Sequence, residues 1–232
     1  MDALFGLGED GQLLTINCYM IEDHNDRRQF ATATQRNREP ILQVLSRVLP
    51  PKGTVLEVAS GTGEHGAFLA PRLSPRFWLP SDPNPLAIES IESWRRYTGS
   101  DRLLEPLCLD VREPQWTVER TPPPQLQEQP IGALVCINMI HISPWEACLG
   151  LVAGAQRLLP VGGVLYLYGP YKEGGRHTSP SNEGFDLMLR DRDPSWGIRD
   201  QEAVIAAAEE RGLRFQEMLE MPANNRSLVF GK

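Results

Sequence analysis

The run from Thr54 to Ala59 places Val55, Leu56, Val58 and Ala59 so closely that no polar face is left, the pattern of a strand buried on both sides of a parallel sheet. Gly61 and Gly63 then break the run; they permit positive φ, and their missing side chains let a ligand approach the backbone. Helical spacing resumes from Glu64 to Leu73, with Phe68, Leu69 and Leu73 on one side and Glu64 in the first turn, where the helix dipole favours a carboxylate. The same rhythm recurs along the chain. Ile41, Val44, Leu45, Val48 and Leu49 outline an amphipathic helix that Pro50-Pro51-Lys52-Gly53 stops. An apolar stretch at Arg76 to Pro80 closes on Asp82, and a helix follows over Pro83 to Tyr97. Leu103 to Leu109 is the next strand, residues 112 to 130 are a proline-rich surface connection, and Ile131 to Asn138 is a buried strand. A helix over Trp145 to Leu159 and a strand over Gly163 to Tyr168 complete the series. Five strands alternating with helices predict an α/β fold, a doubly wound, mostly parallel sheet with right-handed crossovers.

The remainder departs from that rhythm. Residues 169 to 200 form a lid-like insertion with one short helix near Glu183 to Arg190. After a helix over Gln201 to Arg211, strands at Leu213 to Leu219 and Ser227 to Phe230 make an antiparallel C-terminal hairpin. Residues 1 to 22 have no period and read as a flexible leader, with Met20 a possible second start, which leaves 23 to 232 as a single domain.

Composition narrows the function classes. A net charge of −7 argues against a nucleic-acid surface and leaves a small molecule or a protein as the expected substrate. Cys18, Cys108, Cys136 and Cys148 form no CxxC pair, and Cys108 and Cys136 read as buried thiols; a reducing, cytoplasmic setting fits best. No stretch approaches the about 18 apolar residues that a membrane helix needs, and no metal-ligand spacing appears. The oligomeric state is left open.

The strand, glycine turn and helix at residues 54 to 73 place a nucleotide-like cofactor at the carboxyl edge of the sheet. Gly61-Thr62-Gly63-Glu64-His65-Gly66 also satisfies the dinucleotide pattern GxGxxG, so an NAD-dependent oxidoreductase stands as one alternative. Glu57, near the strand's end, separates the readings, because methyltransferases often place an acid there toward the methionyl end of S-adenosylmethionine. Asp82 suits the ribose hydroxyls of either cofactor, and Asp110 the adenine amino group. Asn138 closes the fourth strand beside the cofactor, His65 is placed to contact its backbone, and Arg38 to pair with its carboxylate. His141 is the candidate general base, and methyl transfer asks the protein chiefly for positioning and exclusion of water. Tyr171, Asp186, Trp196, Arg199 and Asn224 are the candidate substrate wall.

Several segments, RNREPIL, LEVASGTGEH, PSD, LDV, CINMIHISP, YGPY, SNEGFDLMLRDRDPSWGIRD and MPANN, together resemble the methyltransferase-like protein 26 family, from about Phe30 to Phe230. The resemblance implies a class I, seven-stranded methyltransferase fold that binds S-adenosylmethionine, and it assigns no acceptor. A protein that binds this cofactor without transferring its methyl group is the third class in play.

Overall fold

The computed structural model describes residues 26–232, preceded by a two-residue antiparallel pairing of Gly6–Leu7 with Leu13–Leu14. The expected leader at 1 to 22 and the thiol of Cys18 otherwise lie outside the described residues. Seven strands form the main sheet: β1 (Thr54–Val58), β2 (Phe77–Asp82), β3 (Leu107–Cys108), β4 (Ile131–Ile137), β5 (Val164–Gly169), β6 (Arg214–Met221) and β7 (Asn225–Gly231). Their order across the sheet is β6-β7-β5-β4-β1-β2-β3. All neighbours are parallel except β7, which runs antiparallel to both β5 and β6. The order reverses at β1, so the crevice outside its carboxyl end is where such a sheet binds ligands.

The residues of β1 divide between two apolar layers, as strand alternation requires. Leu56 and Val58 face a layer that includes Leu134, Cys136, Leu165 and Leu167 with helices α4 (Trp145–Leu158) and α6 (Gln201–Glu209). Val55 faces the other layer with Trp78, Val135 and Tyr166, covered by α1 (Thr32–Val48) and α2 (Glu64–Arg72). The helix α3 (Pro85–Thr98) lies beside α2 and β2. Within the insertion, α5 (Pro180–Arg192) is capped by the Ser179 side chain, which accepts from the Asn182 N–H.

Several elements depart from the sequence expectation, each for an identifiable reason. The helix expected from Ile41 begins at Thr32. Its inner stripe continues backwards as Thr34 and Asn37, buried but polar, and Pro40 is accommodated inside it. The strand expected over Leu103 to Leu109 shrinks to Leu107–Cys108 with an isolated bridge at Leu103, because Pro106 has no N–H for a continuous ladder. Cys108 is consequently exposed rather than buried, while Cys136 and Cys148 are buried. The insertion helix runs three residues earlier and two later than the stretch Glu183 to Arg190 (183 − 180 and 192 − 190) because Ser179 and Pro180 supply a start signal. Residues 112 to 130 are not all surface, since Trp116 is fully buried.

Trp116 explains how the chain after β3 is held. Its ring lies against Gly154 of α4, and a Cβ there would overlap the ring; a Cβ at Gly150 would overlap the Val111 carbonyl oxygen. These two glycines let α4 approach the segment that carries Asp110 and Val111. Gly154→Ala gains helix propensity but forces Trp116 to move in a packed core. We predict a net destabilisation of about 1–3 kcal/mol in denaturant unfolding; unchanged or increased stability contradicts this account of the packing.

Candidate cofactor and acceptor site

Immediately beyond β1 the backbone turns sharply through positive φ at Ala59 (56°), Gly61 (56°) and Gly63 (86°). At Gly63 a side chain is excluded on space as well, because a Cβ would lie 2.9 Å from the Ile91 Cα. The turn is fastened to the end of β2. Gly61 N–H donates to Asp82 Oδ2 and Asn84 N–H to Asp82 Oδ1, both at 2.9 Å, while Ser60 N–H donates to the Ser81 carbonyl at 2.8 Å. Asp82 is therefore buried and partly structural. Each carboxylate oxygen has one backbone partner and retains a further acceptor position.

This turn borders a cavity of about 550 Å³. The carboxyl ends of four strands and the residues beyond them contribute to it: Glu57 to Gly61 at β1, Asp82 at β2, Leu109 to Arg112 after β3, and Ile137 to Met139 at β4. Ala31, Ala33 and Thr34 from the start of α1 and Trp196 from the insertion complete the wall. The Glu64 carboxylate receives the Ala31 N–H and so ties α1 to the glycine turn.

Glu57 is the electrostatic centre of this cavity. Burial pushes its carboxyl up to about 7, against the opposing effect of the Trp78 Nε1–H donated to Oε2 at 2.9 Å, and the nearby Asp82 charge pushes the same way as burial. Among the described residues no lysine, arginine or histidine forms an ion pair with it. Burial also raises Asp82, partly offset by its two backbone donors. His65 is held down at about 4 by burial and the Arg38 charge, so the ring is neutral near pH 7. Its Nε2 lies 2.8 Å from Asn37 Oδ1, and because an amide oxygen only accepts, that nitrogen carries the proton. Asp110 is held low by Arg112, whose guanidinium engages both its oxygens.

A second cavity of about 490 Å³ adjoins the first, sharing Ala33, Asn138 and Ile142. Asn138 occupies a left-handed conformation (φ 61°) that asparagine tolerates, and its N–H donates to the Tyr168 carbonyl at 2.8 Å. His141 lies in the wall of this second cavity, its ring edge-on to Phe185 with centroids 5.6 Å apart. Burial, then the Arg199 charge, holds it at about 4, so it is neutral near pH 7.

Of the residues singled out in sequence, the fold therefore gathers Glu57, Gly61, His65, Asp82, Asp110, Asn138 and Trp196 around one cavity, frames it with Gly63, and places His141 in the next. Five others stand elsewhere. Arg38 lies over the Phe68 ring, 4.7 Å from its centroid, outside both linings. Tyr171 is core, packed in the same apolar layer as Cys136 and Cys148. Asp186 clamps the insertion, accepting the Ile198 N–H at 2.6 Å and pairing with Lys172 (3.1 Å), Arg190 (3.3 Å) and His177 (3.4 Å). Arg199 donates to the carbonyls of Ser143 (2.7 Å) and Ser195 (2.6 Å), which seats the segment carrying Trp196. Asn224 is an exposed turn residue with φ 58° that donates to Ser181 Oγ. Sequence reasoning missed Ala31, Ala33, Thr34 and Arg36. Thr34 had a signal, its helical phase with Asn37, Ile41 and Val44, masked by polarity; the other three had none.

A strand order with this reversal and an antiparallel seventh strand is that of the methyltransferase fold, and solved structures of that class superpose on the chain. An O-methyltransferase family protein from Burkholderia thailandensis aligns with a TM-score of 0.66 at 17% identity, over 86% of this chain and 57% of its own. A putative O-methyltransferase from Nostoc punctiforme gives 0.70 at 15%, over 86% and 58%. Human N-acetylserotonin methyltransferase, in complex with SAM, gives 0.65 at 13%, over 86% and 52%. The chain thus spans a little over half the length of these proteins, and the likeness establishes the fold. By sequence the chain belongs to the family described as protein of unknown function (DUF938), whose profile matches residues 28–232. Among the described residues, no helix is long and apolar enough to cross a membrane.

The raised carboxyl of Glu57 has a measurable consequence. In the unfolded chain it titrates near 4.5, so between pH 4.5 and about 7 the folded state binds more protons and Glu57 costs progressively more stability as pH rises. His65 and His141, both held low, act in the opposite direction at the acid end of this window. The difference between Glu57→Gln and the parent cancels them. We predict that the variant's stability relative to the parent increases by up to roughly 3 kcal/mol between pH 5 and pH 8, measured by urea unfolding; a flat difference shows that Glu57 ionises normally.

Proposed function

We propose that the chain is an S-adenosylmethionine-dependent methyltransferase acting on a small molecule. The observation that carries this reading is the buried carboxyl of Glu57, without a cationic partner among the described residues, in a cavity that adjoins a second one at Asn138. A buried acid of this kind calls for a cationic ligand, and S-adenosylmethionine bears positive charge at its methionyl end. A dinucleotide pyrophosphate beside Glu57 meets repulsion instead, which favours this reading over a nicotinamide enzyme despite the GxGxxG pattern. The resemblance to methyltransferase-like protein 26 points the same way.

When bound, S-adenosylmethionine supplies a methyl group already activated on a sulfonium. The tasks left to the chain are binding, orientation and exclusion of water. In this reading Asp82, with an acceptor position free on each oxygen, holds the ribose diol, and Asp110 with Val111 and Met139 borders the base. Glu57 meets the methionyl end. Trp196, seated through Arg199, covers the cavity beside Pro144 and Ala147. On the acceptor side, neutral His141 can take a proton from the nucleophile, and Asn138 marks the passage between the two cavities. Arg38, Tyr171, Asp186 and Asn224 have no direct part.

Titration calorimetry should show binding of S-adenosylhomocysteine and none of NAD. Asp82→Asn keeps the side chain's shape but removes its charge and one of the two acceptors that hold the Gly61 and Asn84 N–H groups, and is expected to weaken S-adenosylhomocysteine at least about tenfold. NAD binding without S-adenosylhomocysteine binding overturns the proposal. Incubation with tritiated S-adenosylmethionine and a small-metabolite extract should yield a labelled product, and His141→Gln is expected to slow its formation about 10²-fold. Tight cofactor binding with no labelled product in any extract favours a binding protein instead.

A further inference from the structure

We propose that the second cavity takes a compact acceptor carrying a carboxylate, held by Arg36. The term acceptor rests on the methyl-transfer reading; the preference for a carboxylate rests on the cavity's own lining. The chain carries 30 aspartates and glutamates against 23 lysines and arginines, yet among the described residues no acid lines this cavity. Arg36 is the one lysine or arginine in its wall, and among the described residues it has no carboxylate partner. Arg36 is exposed, and it lines the cavity together with Tyr168.

The other polar groups sharpen the assignment. Asn182 donates from Nδ2 to Thr178 Oγ1 and to the Asn224 carbonyl, both at 3.0 Å, and Asn225 donates from Nδ2 to the carbonyls of Pro222 (3.0 Å) and Ala223 (3.3 Å). Their N–H groups are spent within the protein. Asn37, Asn138, His141 and Ser181 also line the cavity and are uncharged donors at most, so Arg36, with the Tyr168 hydroxyl in the same lining, is the charged donor for an incoming ligand. One planar guanidinium matches one carboxylate through two parallel hydrogen bonds, whereas a phosphate dianion leaves a charge unbalanced. The apolar part of the wall, Phe185, Ile142, Pro170 and Pro222, offers faces to a ring or a short hydrocarbon body. A carboxylate bound near His141 also favours the imidazolium that forms when that ring takes up a proton.

The test uses benzoate, benzamide, benzylamine and phenyl phosphate as probes of the full chain, by ligand-observed NMR, with and without saturating S-adenosylhomocysteine. Benzoate is expected to bind at least about tenfold more tightly than benzamide, with benzylamine and phenyl phosphate weaker than benzoate. Arg36→Ala is expected to abolish that preference, Arg36→Lys to keep part of it, and S-adenosylhomocysteine affinity to change less than about twofold in both. Equal binding of benzoate and benzamide, a preference for benzylamine or phenyl phosphate, no detectable benzoate binding, or an unaffected Arg36→Ala variant overturns the proposal. So does a large loss of S-adenosylhomocysteine affinity in Arg36→Ala, which places the guanidinium on the cofactor instead. Benzoate selectivity that depends on Arg36 in a chain that does not bind S-adenosylhomocysteine supports the carboxylate site and removes the methyl-transfer reading, so the two failures are distinct.

Discussion

The carboxylate of Asp82 holds two pieces of backbone that would otherwise have no reason to stay together. One oxygen receives the N–H of Gly61 at the apex of the glycine turn, the other the N–H of Asn84 at the start of α3. A tight turn and a helix start are both places where backbone donors lack partners. A single buried acid at the end of β2 satisfies one from each and fixes the spacing between the first two crossovers. The first cavity exists because that spacing is held. Its floor is the turn, one wall is the end of β2, and α1 closes above it through the Glu64 carboxylate and the Ala31 N–H.

Glu57 shows the opposite use of a buried acid. Asp82 has two backbone donors and stays tied to the frame. Glu57 has the Trp78 indole and is otherwise left by the fold in a state that favours the proton. An acid of that kind is costly to keep unless a ligand repays it, which is why perturbed carboxylates gather where small molecules bind. Trp78 is a core side chain on β2, so the hydrogen bond that orients Glu57 is as rigid as the sheet itself. The two acids lie at the ends of adjacent parallel strands, one fixing the site's shape and the other its charge.

The parts of this arrangement that the sequence announced are those set by period and by glycine. The buried run at β1, the turn at Gly61 and Gly63 and the helix after it were legible because backbone geometry leaves few residue choices there, and the same is true of the alternation that predicted a parallel sheet. Polar residues carrying no period were not legible. Thr34 and Asn37 continue the inner stripe of α1 into the site, but a threonine and an asparagine on that stripe look like solvent positions until the neighbouring helix is in place, and Arg36 is exposed and carries no period at all. The expected substrate wall is dispersed for a related reason. Asp186, Arg199 and Tyr171 have side chains suited to binding, and the fold uses them to hold the insertion in place, the first two by polar contacts and Tyr171 by packing in the core.

That self-binding explains how a long insertion can serve a rigid site. Residues 169 to 200 contain little apolar material, so their placement rests on directional contacts. Asp186 gathers Lys172, His177 and Arg190 and accepts the Ile198 N–H, while Arg199 reaches across to the Ser143 carbonyl. Gly197, between these anchors, is pressed so closely against Asp186 and Arg190 that a Cβ would lie 2.7 Å from each, and its N–H donates to the His141 carbonyl at 3.0 Å. The loop after β4 and the insertion are thus one unit: Trp196 faces the first cavity, His141 the second, and a displacement of either is felt at the other. Polar residues that look like substrate contacts in the sequence are what allow one aromatic ring and one imidazole to be held on two sides of Asn138.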